Sequence, residues 1–149
     1  MPRKLRAWRE PGVRFVVVRD NDGGDCRALK RKLVRLCRQG GRTDVLVRIA
    51  CQEVEAWYLG DPQGLAESFG EQRLRRLGGQ ARFRDPDAVE QPSKVLDALV
   101  PAFQKVSGAR AMAGVLSHER NASTSFRVFM RGVGRTAAAL HARSPREGR

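Results

Sequence analysis

Long apolar runs are missing from this chain. No stretch approaches the roughly 18 consecutive apolar residues of a membrane-spanning helix, and the opening MPRKLRAWREPG lacks the apolar core of a secretory signal. The expectation is a soluble, cytoplasmic protein with no membrane partner. Cysteine and histidine are also scarce. Cys26, Cys37 and Cys51 with His118 and His141 do not fall at zinc-ligand spacings, and three cysteines cannot form a closed disulfide set, so buried free thiols are expected. Ser125 has no histidine in a recognisable catalytic arrangement with it, and capping is its expected role. No P-loop, dinucleotide fingerprint or helix-turn-helix pattern is present. Acidic residues are few, 16 against 29 basic ones, which leaves 149 residues with a net charge of +13.

What is present is arginine. Of the 29 basic residues 24 are Arg, whose guanidinium forks onto phosphate, although a GC-rich genome produces the same bias. The charge is uneven: +9 over residues 1–48, −2 over 49–105 and +6 over 106–149. Both ends suit a polyanion such as DNA or RNA.

The length suits one domain, 1–149. Val13 to Arg19 is a short β-branched run bounded by turn residues and reads as a buried strand. Asp25 to Gln39 follows with apolar residues at Cys26, Leu29, Leu33, Leu36 and Cys37. That spacing predicts a helix capped by Asp25 and ended by Gly40-Gly41. Its other face carries Arg27, Lys30, Arg31 and Arg35, the candidate nucleic-acid contacts. Val45 to Cys51 reads as a second buried strand, so strand, helix and strand predict a parallel pair in an α/β fold. The remainder reads as helical, with short helices starting at Glu53 and Pro62, loop over 78–91, and a helix from Pro92 to Val100. A last helix carries Phe126, Phe129, Met130, Val133 and Leu140 behind Ser123 or Ser125 as cap, weakened by Gly132 and Gly134. Residues 143–149 read as a frayed tail.

The sharpest local feature is Asp20-Asn21-Asp22 at the carboxyl end of the first strand. Residues i and i+2 of an extended segment share a side, so two carboxylates sit together where open α/β sheets keep their ligands. Such a pair calls for a proton or a cation between them, and magnesium takes hard oxygen ligands of this kind. The run D-N-D-G-G-D is equally turn and N-cap chemistry. A calcium EF-hand is excluded, since Asp25 stands where that loop requires Gly. Glu53 and Glu55 follow the second strand, and in a parallel pair they reach the same rim. They also suit the first turn of a helix, where acids favour the dipole. Trp57 and Tyr58 read as core. Lys105 is one of five lysines and is a candidate phosphate donor. Four carboxylates in a basic chain suit metal-dependent phosphodiester cleavage; the alternative is a non-catalytic subunit that binds nucleic acid or a partner.

The combination FVVVRDNDGGDCRALKRKL, VRIACQEVEAWYLGD, the lysine in AFQKVSGAR and then STSFRVF resembles the bacterial family called domain of unknown function 4276, over roughly residues 4–133. That family is grouped with Toprim-like domains. The resemblance implies a Rossmann-like small parallel sheet flanked by helices with a helical C-terminal half, and magnesium, or manganese in its place, as cofactor. It also implies nuclease activity and a role beside an ATPase partner in phage defence. By that similarity Asp20 and Asp22 match the Toprim DxD metal ligands, Glu53 or Glu55 the later acidic ligand or base, and Lys105 the lysine. The glutamate that Toprim domains place after an earlier strand has no counterpart here, since the only acid before Val13 is Glu10. The chain therefore reads as a version shortened at the N-terminus, without the first strand and helix. A sheet shortened in this way exposes an edge suited to pairing with a second copy.

Overall fold

In the computed structural model, which describes residues 1–142, the two β-branched runs form strands β1 (Val16–Asp20) and β2 (Leu46–Ala50). They pair in parallel, from Val16 opposite Leu46 to Asp20 opposite Ala50. The expected frayed tail, 143–149, lies outside the described residues. Between the strands runs helix α2 (Cys26–Gln39), whose N-cap Asp25 accepts the Arg27 and Ala28 N–H groups at 2.7 and 3.1 Å. It ends at Gly40, and Gly41 takes a left-handed φ of 75° that turns the chain back toward β2. The expected α/β architecture, a small parallel sheet with helices around it, is the one observed. Among the described residues no helix is long and apolar enough to cross a membrane.

Leu33 and Cys37 of α2, Val47 of β2 and Leu5 form one apolar cluster, joined by the half-buried Leu29, Leu36, Val17 and Ile49. Leu5 belongs to a short helix, α1 (Pro2–Ala7), which the sequence pattern did not predict. It is tied to the end of α2 by the Arg6 guanidinium, which donates to the Gln39 carbonyl at 2.8 Å. The first strand is not buried on both faces as expected. Val17 points into the cluster, while Val16 and Val18 stay 43% and 41% exposed. Alternation along a strand puts these two valines on the opposite face from Val17.

A second, larger cluster organises the rest around Leu59, Leu65, Leu96, Val100 and Met112. It gathers α3 (Glu55–Leu59), α4 (Pro62–Phe69), α5 (Pro92–Leu99), α6 (Lys105–Ala113) and α7 (Thr124–His141). The helix expected from Glu53 begins at Glu55, and α6 was not anticipated. The stretch expected as loop, 78–91, holds the end of a 3-10 helix over Gln72–Gly79 and two short ones, Ala81–Phe83 and Pro86–Ala88. Short i to i+3 turns tolerate this Gly- and Pro-rich punctuation while burying Phe83, with Leu74 and Leu77 buried just before it.

Two polar joints lock α3 to the later helices. Asp61, almost fully buried, caps α4 at Gly64 N, accepts Ser117 N at 3.0 Å and takes a two-point contact from Arg120. Asn121 donates to the Trp57 carbonyl at 2.7 Å and accepts Ser123 N. A Cβ on Gly60 would stand 2.2 Å from Asn121 Oδ1, so this close approach requires glycine. Ser123, not Ser125, caps α7, accepting Phe126 N at 3.0 Å. Gly132 is not simply a weak point in α7. The Arg48 guanidinium of β2 lies against it and donates from Nε to the Val128 carbonyl at 3.2 Å.

Candidate acidic site at the strand ends

The parallel register brings the segments after β1 and β2 to one rim. Their pairing continues past the strands: Asn21 N donates to the Ala50 carbonyl, and Asp22 N to the Gln52 carbonyl at 3.0 Å. Asn21 Oδ1 accepts Gln52 N, and its Nδ2 donates to the Gly24 carbonyl at 2.6 Å. The two segments are thereby one bonded unit. Beside them lies a cavity of about 230 Å³ lined by Asp22, Gln52, Glu53, Gln91 and Pro92. Three of these residues, Asp22, Gln52 and Gln91, have left-handed φ values of 48°, 62° and 50°, and they are the only such non-glycine residues among those described. Conformations of this kind persist only where surrounding bonds enforce them.

The carboxylates feel one another. Burial, then the charges of Asp22 and Glu53, pushes the Asp20 carboxyl above its usual range, with the facing Val54 N–H partly offsetting this. Burial also raises Glu55; Glu53 and Asp20 add to the rise, while Lys105 opposes it. Thus Asp20 links Asp22, Glu53 and Glu55 electrostatically, and Lys105, the exposed first residue of α6, is near enough for its charge to act on Glu55. Beneath the acids lies Tyr58, pushed up to about 12 by burial and by the charges of Glu55 and Asp20. Trp57 and Tyr58 are core residues, as expected.

Sharing a rim is not yet forming a cage. Among the described residues no group of three His, Cys, Asp or Glu side chains is arranged to hold a metal ion. Glu53 Oε2 is occupied by Ser93 N at 2.7 Å, and Asp22 is exposed and 4.0 Å from Arg19. The donor chemistry still suits magnesium, which is commonly held by one or two carboxylates, with water and phosphate oxygens completing the octahedron. The structure sets Asp20 among the charges of Asp22 and Glu53, short of the four-carboxylate convergence read from the sequence.

The expected nucleic-acid contacts also come together. Arg27, Lys30, Arg31 and Arg35, with Val34 and Arg38, line a groove of about 540 Å³ along the outer face of α2. Because α2 starts directly after the acidic loop, this basic stripe leads away from the acids. Ser125 does not cap α7. Its Oγ accepts the Trp57 indole N–H at 2.8 Å and bonds Asp87 Oδ1 at 2.9 Å. His141 Nδ1 lies 2.9 Å from the Ala137 carbonyl one turn back, within α7.

The thiols depart from expectation. Cys37 is buried, but Cys26 and Cys51 are only half-buried, with their sulfurs 3.8 Å apart. The Cys51 thiol is pushed up to about 12 by burial, with Asp87 contributing. Gln52, Gln91 and Ser93 were not singled out from the sequence. Left-handed backbone is favoured by Gly, Asn and Asp, so a glutamine there carries no local signal, and Ser93 enters the site through its backbone alone.

No curated protein and no solved structure matches the chain. The motifs FVVVRDNDGGD and VRIACQEVEAW, now seen as the two arms of one acidic rim, lie within residues 2–134, which match the family described as Domain of unknown function (DUF4276), and the chain belongs to that family.

Proposed function

We propose that this protein is a Toprim-like, divalent-cation-dependent phosphodiesterase acting on DNA or RNA. The observation that carries the reading is the gathering of carboxylates around Asp20, which feels the charges of Asp22 and Glu53 and acts on Glu55, on the rim where both parallel strands end. Asp20 and Asp22 would hold magnesium or manganese, with water and phosphate oxygens as its other ligands. Such an ion neutralises a scissile phosphate and activates water. The chain's own residues supply the rest. Glu55, whose carboxyl burial raises above its usual range and the Lys105 charge partly lowers, is placed to exchange a proton as acid or base, and Lys105 to contact a phosphate oxygen. The α2 stripe from Arg27 to Arg38 spans about 16 Å at 1.5 Å per residue, enough to follow several phosphates of a strand. A role in phage defence beside an ATPase partner belongs to the same reading and rests on the family resemblance.

A second reading is favoured by the absence of a three-ligand cluster among the described residues together with the basic groove on α2: a subunit that binds nucleic acid without cutting it. Cleavage of a labelled DNA and a labelled RNA, with magnesium and with chelator, separates the two. Cutting that needs the cation and is lost in Asp20→Asn and Lys105→Ala supports the phosphodiesterase. Retention of both nucleic acids without cutting under every condition supports the binding subunit.

A further inference from the structure

We infer that Cys26 and Cys51 form a disulfide site that staples the two acid-bearing loops together on exposure to a low-molecular-weight disulfide. Cys26 is the first residue of α2, directly after the loop that leaves β1 at Asp20 and carries Asp22. Cys51 directly follows β2 and precedes Glu53 and Glu55. Their sulfurs are 3.8 Å apart, in van der Waals contact, across 25 positions of sequence. A disulfide needs a separation of about 2.05 Å, so closure requires side-chain rotation and a small shift of segments that already bond each other through Asn21 and Gln52. Cys26 and Cys51 are both half-buried, whereas Cys37 lies buried in the cluster between α1, α2 and β2.

With oxidised glutathione the chemistry balances. One thiolate of the pair attacks a glutathione sulfur, forming a mixed disulfide and releasing one glutathione thiolate. The second cysteine gives up its proton to solvent and attacks the protein-bound sulfur, expelling the other glutathione. Two protein thiols are oxidised to one bridge, and one glutathione disulfide is reduced to two thiols. The bridge closes around the whole of α2 and β2, so it restrains the unfolded chain as well as the folded one. Fixing the spacing of Asp20 and Asp22 against Glu53 and Glu55 would set the geometry of the acidic rim. That consequence rests on the reading above, while formation of the bond does not.

The test is peptide mapping of the full chain after incubation with oxidised glutathione in the absence of any divalent ion. Trypsin cuts at Arg27, Lys30 and many sites before Cys51, so the two cysteines fall in different peptides. The expected product is a single chain in which these peptides are joined, with Cys37 still a thiol and the link lost on reduction. Its Tm should rise by roughly 5–10 °C over the reduced chain. Cys37→Ser should behave identically, and Cys26→Ser should show neither the linked peptide nor the rise. Recovery of Cys26 and Cys51 as free thiols, as separate glutathione adducts, or linked between two chains would overturn the inference. The wild-type map decides the matter even if a variant fails to fold, and failure of magnesium binding leaves it untouched.

Discussion

Glu53 Oε2 accepts the backbone N–H of Ser93 at 2.7 Å, from 40 residues away, and so caps α5, whose own preceding residue Gln91 contributes no side-chain bond. One oxygen of this carboxylate is therefore held in place by a helix start, which fixes its position beside Asp20.

Substitution at Glu53 should separate the cap from the charge. Glu53→Gln keeps an acceptor oxygen and should unfold within about 0.5 kcal/mol of wild type, whereas Glu53→Ala should lose about 1 kcal/mol with the cap. Urea denaturation measures both, and equal losses would mean that the bond to Ser93 contributes nothing to stability.

Stability should fall with rising pH through the acidic range at Asp20. Its folded carboxyl holds a proton above the ordinary carboxylate range, through burial first and then the charges of Asp22 and Glu53. The folded state thus binds more protons than the unfolded one in that window. Its contribution is complete below the unfolded value and is lost as pH climbs through the folded value. Asp20→Asn should flatten this part of the profile and raise the urea midpoint near pH 7. A variant that tracks wild type from pH 4 to 7 would show that Asp20 is not desolvated and repelled as described.

The two glycines of α7 should behave differently. A Cβ on Gly134 meets nothing within 4 Å, so Gly134→Ala should stabilise by about 0.5–1 kcal/mol through helix propensity. A Cβ on Gly132 would stand 2.6 Å from Arg48 Nη2 and must displace the guanidinium from Val128, offsetting that gain. Thermal unfolding of the two variants gives the comparison directly. Equal stabilisation would mean that the Arg48 contact carries no weight.

Replacing Arg27, Arg31 and Arg35 by Ala should reduce the salt dependence of DNA or RNA affinity by roughly one unit of slope per lost phosphate contact. An unchanged slope would mark the groove on α2 as a solvated face.

The sheet and α2 were legible because their signals are local. Asp25 as cap, the stripe ending at Cys37 and the two β-branched runs need only neighbouring residues to be read. The rim was legible for the same reason, since parallel strands carry their carboxyl ends to one side. What could not be read depends on distant partners. The bond from Ser93 to Glu53, the hold of Asp87 on Ser125 and the seat of Arg48 on Gly132 join residues 38 to 84 positions apart. Helix α1 has one buried residue, Leu5, and its docking on the end of α2 leaves no periodic pattern. The exposure of Val16 and Val18 was missed because a run of valines reads the same whether one face or two are covered.

Calorimetric titration of magnesium into wild type and into the Asp20→Asn, Asp22→Asn double variant tests the ion seat most directly. The account predicts a saturable heat for wild type that disappears in the double variant while its far-UV circular dichroism is unchanged. An identical heat in both proteins, or none in wild type at millimolar magnesium, would contradict it.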